Sequence, residues 1–310
     1  MTSFGRGTHF EGPLLGSHRA TNGLFEGLPL GVVDHHRSPF LCFYDDLTYI
    51  NSIAGAEAAG WTETAVGTAA SRSVAYSVRL RALEINADTV ADEGSNLQYN
   101  AAPTTGIRGR LLPPIASTAN LMNAKELIWS SRISFLVGNG STFDSKALFG
   151  WFVTNTGLMT AATGALNIGT GGGIGFHVSG DAGGTSTGSL DCVCQAISTP
   201  VSVPSGVVIS TAGTAFATVG WIDVGFRARW RGGTGDPHVG RGDVKYYVNG
   251  RHVATIVDNM PMQSTQTYSN SIEVINGPAT ADQVDMGVES IFNGITRIGF
   301  DFPYTTPSNI

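Results

Sequence analysis

The sequence predicts a nearly all-β protein, two sheets packed face to face, and three observations carry that expectation. Apolar and polar residues alternate at a spacing of two over several segments, the pattern of a pleated strand with one face buried. Glycine is abundant, at 41 of 310 residues, about twice ordinary usage. Helical periodicity is nearly absent, in keeping with a cost of about 1 kcal/mol for each glycine inside a helix. Two helical turns over Ala119–Leu127 and one over Ile53–Ala59 are the exceptions expected.

Residues 1–30 differ from the rest. Glycines at 5, 7, 12, 16, 23 and 27 punctuate isolated apolar residues, and neither a period of 2 nor of 3.6 survives. Such a segment builds no core of its own, yet it is too aromatic for a plain disordered tail. It reads as an extended Gly-rich N-terminal arm that orders against a partner, with Phe4, Phe10, Leu14, Leu15 and Phe25 as the partner-binding residues.

The body, residues 31–310, is expected to be one sandwich domain. Leu41–Tyr44 is a short apolar run, and Ser73–Leu83 alternates Val74, Tyr76, Val78 and Leu80 with polar neighbours. In Ile128–Val137, Trp129, Ile133 and Phe135 share one face and Arg132 and Ser134 the other. Ala147–Val153 and Gly172–Val178 follow as candidate strands. Trp221–Arg231 is the clearest: Ile222, Val224, Phe226, Ala228 and Trp230 against Asp223, Arg227, Arg229 and Arg231. Val244–Val248 and Arg251–Val257 flank Asn249-Gly250, the strongest short hairpin signal, since a type I′ turn needs positive φ twice. Gln283–Ile291 and Ile295–Phe302 are expected to join through a second turn at Asn293-Gly294.

Composition narrows the function. Charged residues make up 14% and the net charge is −6, with no basic cluster for a phosphate backbone. Of 18 cationic residues only Lys125, Lys146 and Lys245 are lysines. Arginine tolerates interfaces through its planar fork, so scarce Lys fits a surface covered by neighbours, or else a compositional habit of the host. Three cysteines are an odd number, and Cys192 and Cys194 share one face of an extended strand at a spacing of about 6–7 Å, too far to bridge. No basic start followed by an apolar run opens the chain, and no stretch nears the roughly 20 apolar residues of a membrane span. The expectation is a protein made in a reducing cytoplasm, without membrane insertion and without a cofactor.

Catalytic signals are weak in context. Gly184–Gly188 spells the nucleophile elbow around Ser186 but sits in a Gly/Thr loop, not a strand-to-helix turn. Asp34-His35-His36 lacks a third ligand at a metal spacing. Asp45-Asp46 and Asp181 show no acidic comb of the kind calcium needs. Arg241-Gly242-Asp243 fits a turn that opens the next strand. His177 and His252 read as hydrogen-bonded strand histidines.

Taken together, WSSRISFLV at Trp129–Val137, Gly150–Thr154, Gly173–Val178, GWIDVGFRARW at Gly220–Trp230, VKYYVNGRHVATI at Val244–Ile256 and Gly299–Phe302 resemble, in that order, the concanavalin A-like (laminin G-like) jelly rolls. With the glycine-rich leader, the chain is similar to virion structural proteins of marine tailed phages. That resemblance implies an all-β jelly-roll β-sandwich and a non-enzymatic head decoration or cement protein. Its partners would be the major capsid protein and neighbouring copies of itself, as a trimer or dimer, in the virion. The lectins' carbohydrate-binding residues find no counterparts here. A glycan-binding lectin-like module of a tail or fibre is the alternative. Glycoside hydrolysis would require two facing carboxylates about 5–10 Å apart, and none stands out.

Overall fold

The computed structural model describes residues 40–50, 60–68, 73–78, 81–86, 90–99, 126–137, 146–153, 157–168 apart from 162, 172–179, 188–195, 200–210, 220–230, 241–261, 268–276 and 284–296, with positions 52, 55 and 56. The arm at 1–30 lies outside the described residues, as do Asp34, His35, His36, Asp181 and Ser186.

Among the described residues fifteen strands follow one another. The first five are β1 Phe40–Asp45, β2 Trp61–Val66, β3 Ser73–Ser77, β4 Ala82–Asn86 and β5 Gly94–Tyr99. The middle five are β6 Glu126–Val137, β7 Lys146–Val153, β8 Gly173–Ser179, β9 Gly188–Gln195 and β10 Pro200–Ser210. The last are β11 Trp221–Trp230, β12 Gly242–Val248, β13 Arg251–Val257, β14 Tyr268–Ile275 and β15 Val284–Thr296. They form a larger sheet, in the order β13-β12-β11-β6-β15-β4-β3 with β1 also on β15, and a smaller sheet, β10-β9-β8-β7-β14-β5-β2. Every pairing is antiparallel. The chain changes sheet at β1–β2–β3, at β4–β5–β6–β7, at β10–β11 and at β13–β14–β15, so neighbours in the sandwich come from distant sequence. This is the all-β sandwich of two sheets that the alternation predicts, in the jelly-roll form that the resemblance implies.

Between the sheets sits an aromatic core. Trp129 stacks on Phe226 with ring centroids 5.5 Å apart, and Phe149 on Phe176 at 5.7 Å. Tyr246 meets Phe176 edge-on and donates its hydroxyl to the carbonyl of Val193 at 2.6 Å. These contacts fix which face of each strand is inner, because side chains alternate along a strand. Ile222, Val224, Phe226 and Ala228 of β11 are all buried on the inner face, as their spacing predicts. A polar knot accompanies them: Trp129 Nε1 and Asn293 Nδ2 both donate to Asn270 Oδ1, at 3.0 and 2.7 Å. Cys192 and Cys194 are free, buried and on that same inner face, and burial pushes the Cys192 thiol up to about 12.

The hairpin at Asn249-Gly250 has positive φ at both positions, 48° and 74°. Its tip is tied back to β11: the Asn249 amide donates to the Asp223 carbonyl at 2.7 Å, and the Asp223 amide to Asn249 Oδ1 at 3.0 Å. The expected turn at Asn293-Gly294 is not one. Strand β15 runs unbroken through it, because Asn293 points inward to Asn270 and finds its partner in the core. Ser73–Leu83 is not one strand either. β3 ends at Ser77, Arg81 turns with φ 56°, and Val78 is left 82% exposed. Glu126 and Leu127, expected in a helix, open β6. Of the single helical turn expected over Ile53–Ala59, Gly55 and Ala56 are described and helical, and the other five residues lie outside the described ones.

Candidate functional site

Both outer faces of the sandwich carry polar side chains that are buried, and they satisfy them differently. On the smaller sheet, parity places Lys146 of β7, His177 of β8 and Glu273 of β14 outward, on three adjacent strands. All three nevertheless have little access to solvent. The segment at 157–168, itself folded back through a bridge between Met159 and Leu166, lies over them as a strap.

Each of the three holds the strap by its backbone. The Leu158 and Met159 amides donate to Glu273 Oε2 and Oε1, at 2.7 and 2.8 Å. Lys146 Nζ donates to the Ala161 carbonyl at 2.5 Å and pairs with Asp92 at 2.8 Å. His177 Nε2 lies 3.0 Å from the Gly164 carbonyl. Gly164 has φ +64°, and a Cβ there would sit 2.8 Å from the Lys146 stem, so only glycine suits that position. Burial raises the Glu273 carboxyl from its ordinary 4.5 to about 7, against the pull of the two amides that favour the carboxylate. Burial lowers His177, with the Gly164 carbonyl and Asp191 acting the other way.

On the larger sheet the buried charges meet opposite charges. Glu126 of β6 accepts from the Nε atoms of both Arg227 and Arg229 of β11, the latter at 2.9 Å. Nearer the β15 side, Arg132 pairs with Glu289 at 3.2 Å and with Asp223 at 3.6 Å, and its guanidinium lies over the Trp221 ring at 5.9 Å. Burial raises the Asp223 carboxyl; Arg132 lowers it and Glu289 adds to the rise. Asp223 and Glu289 are the part-exposed acids that share one neighbourhood, and a guanidinium stands between them.

The sequence-predicted site residues divide accordingly. Phe4, Phe10, Leu14, Leu15 and Phe25 lie outside the described residues. Asp45 is buried and spent on structure: its oxygens accept from the Leu47 amide at 2.9 Å, Trp61 Nε1 at 3.4 Å and the Tyr49 hydroxyl. Asp46 caps the same turn by accepting from Thr48. His252 is hydrogen-bonded to Thr255 Oγ1 at 2.8 Å and packs edge-on against Tyr247. The Arg-Gly-Asp string is not a turn before the strand: Gly242 and Asp243 are the first two residues of β12, paired with Trp230 and Arg229 of β11. Among the described residues no cluster of three or more His, Cys, Asp or Glu is placed to hold a metal. Glu273, the most strongly shifted carboxylate described, was not singled out by sequence; its signal is an acid between Ile272 and Val274 in an otherwise apolar run.

No family model matches the sequence, and no curated protein matches it. Among solved structures, the chain is similar to the potassium-bound carbohydrate recognition domain of Emp46p, at 11% identity over 80% of this chain and 94% of that one, TM-score 0.43. It is similar to the alginate lyase Aly36B at 10% identity over 84% and 98%, TM-score 0.49. A third likeness is to a Bacillus licheniformis β-glucanase, at 11% identity over 83% and 98%, TM-score 0.43. At that level the likeness says nothing of activity, and the architecture rests on the strand order itself.

Proposed function

We propose that this chain is a non-enzymatic structural protein of a virion, one that coats or cements the head of a tailed phage. The observation that carries the reading is the state of the outer faces. Lys146, His177 and Glu273 are spent on holding the chain's own strap, Glu126 on two arginines, and Asp223 and Glu289 on Arg132. An acid/base pair needs carboxylates free to exchange protons with a substrate. A body whose buried charges, among the described residues, are engaged internally serves as a rigid spacer.

The leading arm supplies the contacts in this reading. Phe4, Phe10, Leu14, Leu15 and Phe25 bury against the major capsid protein or neighbouring copies, at about 25 cal/mol per Å² of apolar area less the entropy of ordering the arm. Scarce lysine and abundant Gly and Ser support a surface that ends under neighbours. Self-association as a trimer or dimer belongs to the same proposal.

Two experiments test it. Negative-stain imaging with a labelled antibody to this chain should mark particle heads. A protein lacking residues 1–30 should stay folded by circular dichroism and fail to co-sediment with heads. Normal decoration by the truncated protein removes the arm from the proposal. Absence of label on particles, together with saturable binding on a glycan array, replaces it with the lectin-like reading.

A further inference from the structure

We infer that the hairpin at 157–168 is a detachable strap whose hold on the smaller sheet is set by pH through Glu273 and His177. The geometry is a clasp, not a continuous sheet. The strap adds no strand to the ladder: β7 and β14 already pair with each other, and β7 pairs with β8 on its other side. Its internal bonds are few, with Asn167 N–H to Leu158 O at 2.6 Å, Thr160 N–H to Ala165 O at 2.8 Å and Gly164 N–H to Thr160 O at 2.7 Å. What ties it down is a row of three side chains on its backbone, plus Leu158, Met159 and Ile168 tucked beneath it.

Two of the three clasps titrate in opposite senses near neutrality. Lifting the strap returns Glu273 and His177 to water. The closed state holds Glu273 in favour of the acid, so closure is fully supported below the ordinary carboxyl value and weakens as pH rises through about 7. The closed state holds His177 in favour of the neutral ring, so closure weakens as pH falls below the ordinary imidazole value. Between the ordinary carboxyl and imidazole values the two effects oppose each other, so the strap's pH response there is smaller than either clasp gives alone, and removing one clasp uncovers the other.

The surrounding charges set the midpoints without reversing the senses. Lys146 and Asp92 form a pair at the strap's turn, and Asp191 of β9 lies opposite His177. Asn96 of β5 and Leu148 of β7, the cross-strand neighbours of Glu273, carry no charge. Glu93 is turned to Thr68. Lys146 anchors the strap through the Ala161 carbonyl and its pair with Asp92.

Hydrogen exchange of the full-length protein between pH 5 and 8, expressed as protection relative to each amide's intrinsic rate, tests this. In His177→Asn, which removes the opposing titration, the Leu158 and Met159 amides should lose on the order of tenfold protection between pH 5.5 and 7.5, since each shifted unit is tenfold in the opening equilibrium, and the wild type should lose less. Amides of β6 and β11 should stay flat over the same range. In Glu273→Gln that loss should vanish, because the amide does not ionise, and protection should instead rise with pH through His177. Strap protection in His177→Asn that parallels β6 and β11 at every pH overturns the inference, and so does an alkaline loss that persists in Glu273→Gln.

Discussion

The outer faces of the two sheets bury charge by opposite means. On the larger sheet, Glu126 lies between two guanidiniums, and Arg132 between two carboxylates. On the smaller sheet, Glu273 has two backbone amides and no cation, and Lys146 takes a backbone carbonyl beside a single acid. A charge answered by a charge has a full opposite charge to set against the loss of water. A carboxylate answered only by amide dipoles in a dry site does not, and the rise of Glu273 to about 7 expresses that. The first arrangement belongs to the body of the sheet; the second belongs to a segment able to leave it. Disrupting the two should then differ in kind: global for the charge ladder, local for the strap.

The largest effect expected is from Glu126→Ala. It removes the shared acceptor of Arg227 and Arg229 from a site where Arg227 is 7% exposed. Breaking a buried pair from one side costs about 3–5 kcal/mol. The loss should appear as a shift of the whole urea transition, with an unchanged slope. A cost below about 1 kcal/mol would place this triad among ordinary surface pairs and erase the contrast between the faces.

Glu273→Ala comes next. It leaves the Leu158 and Met159 amides without their acceptor, at about 1–3 kcal/mol for a stranded buried donor. Here the loss should be local. Limited proteolysis should cut within 157–168 well before the global transition moves, whereas Glu126→Ala should show no such selective cleavage. In a His177→Asn background, where no opposing imidazole titration remains, stability to urea should also fall as pH rises from about 5 to 8, because the folded carboxyl prefers its proton more than the unfolded one does. Glu273→Ala should flatten that decline; persistence of the full slope in the variant would assign it to other groups.

Gly164→Ala sharpens the comparison at smaller scale. A methyl at φ +64° costs about 1 kcal/mol from backbone strain, with more from the 2.8 Å approach to the Lys146 stem. Strap exchange should speed up at all pH values equally, since no titrating group is touched. A pH-dependent change in this variant would mean that strap position, not ionisation, controls the clasp.

The sequence was readable where one face of a strand is apolar and the other polar, as in β6, β11 and the β12–β13 hairpin. It failed where both faces are covered. β14, Tyr-Ser-Asn-Ser-Ile-Glu-Val-Ile, is buried throughout, yet Ser269, Ser271 and Glu273 look like solvent-facing residues and Asn270 like a turn former. β5 was missed for the same reason, with Asn96 and Gln98 buried on the strap side. Pattern reading treats a polar residue as exposed, and neither the strap nor the Asn270–Asn293 pair announces itself locally, because the partners are tens of residues away. Asn293-Gly294 was misread on the same ground: the residue pair favours a turn only where no partner waits in the core. The outer-face site was therefore largely illegible, while the sheet framework that positions it was not.

The smallest effect expected is at the open end of the charge ladder. Arg132 is about one third exposed, so its pairs with Glu289 and Asp223 are worth only some 0.5 kcal/mol after solvent screening. Arg132→Lys keeps the charge but loses the planar group over Trp221, which is worth a similar amount at an exposed site. The urea midpoint should move by under about 1 kcal/mol, and the difference should shrink in 1 M salt. Glu126→Ala should keep most of its cost in the same salt, because a pair shielded from solvent is screened far less. If salt erases both effects alike, the inner and outer ends of the ladder are energetically one surface, and depth of burial does not separate the triad from its neighbours.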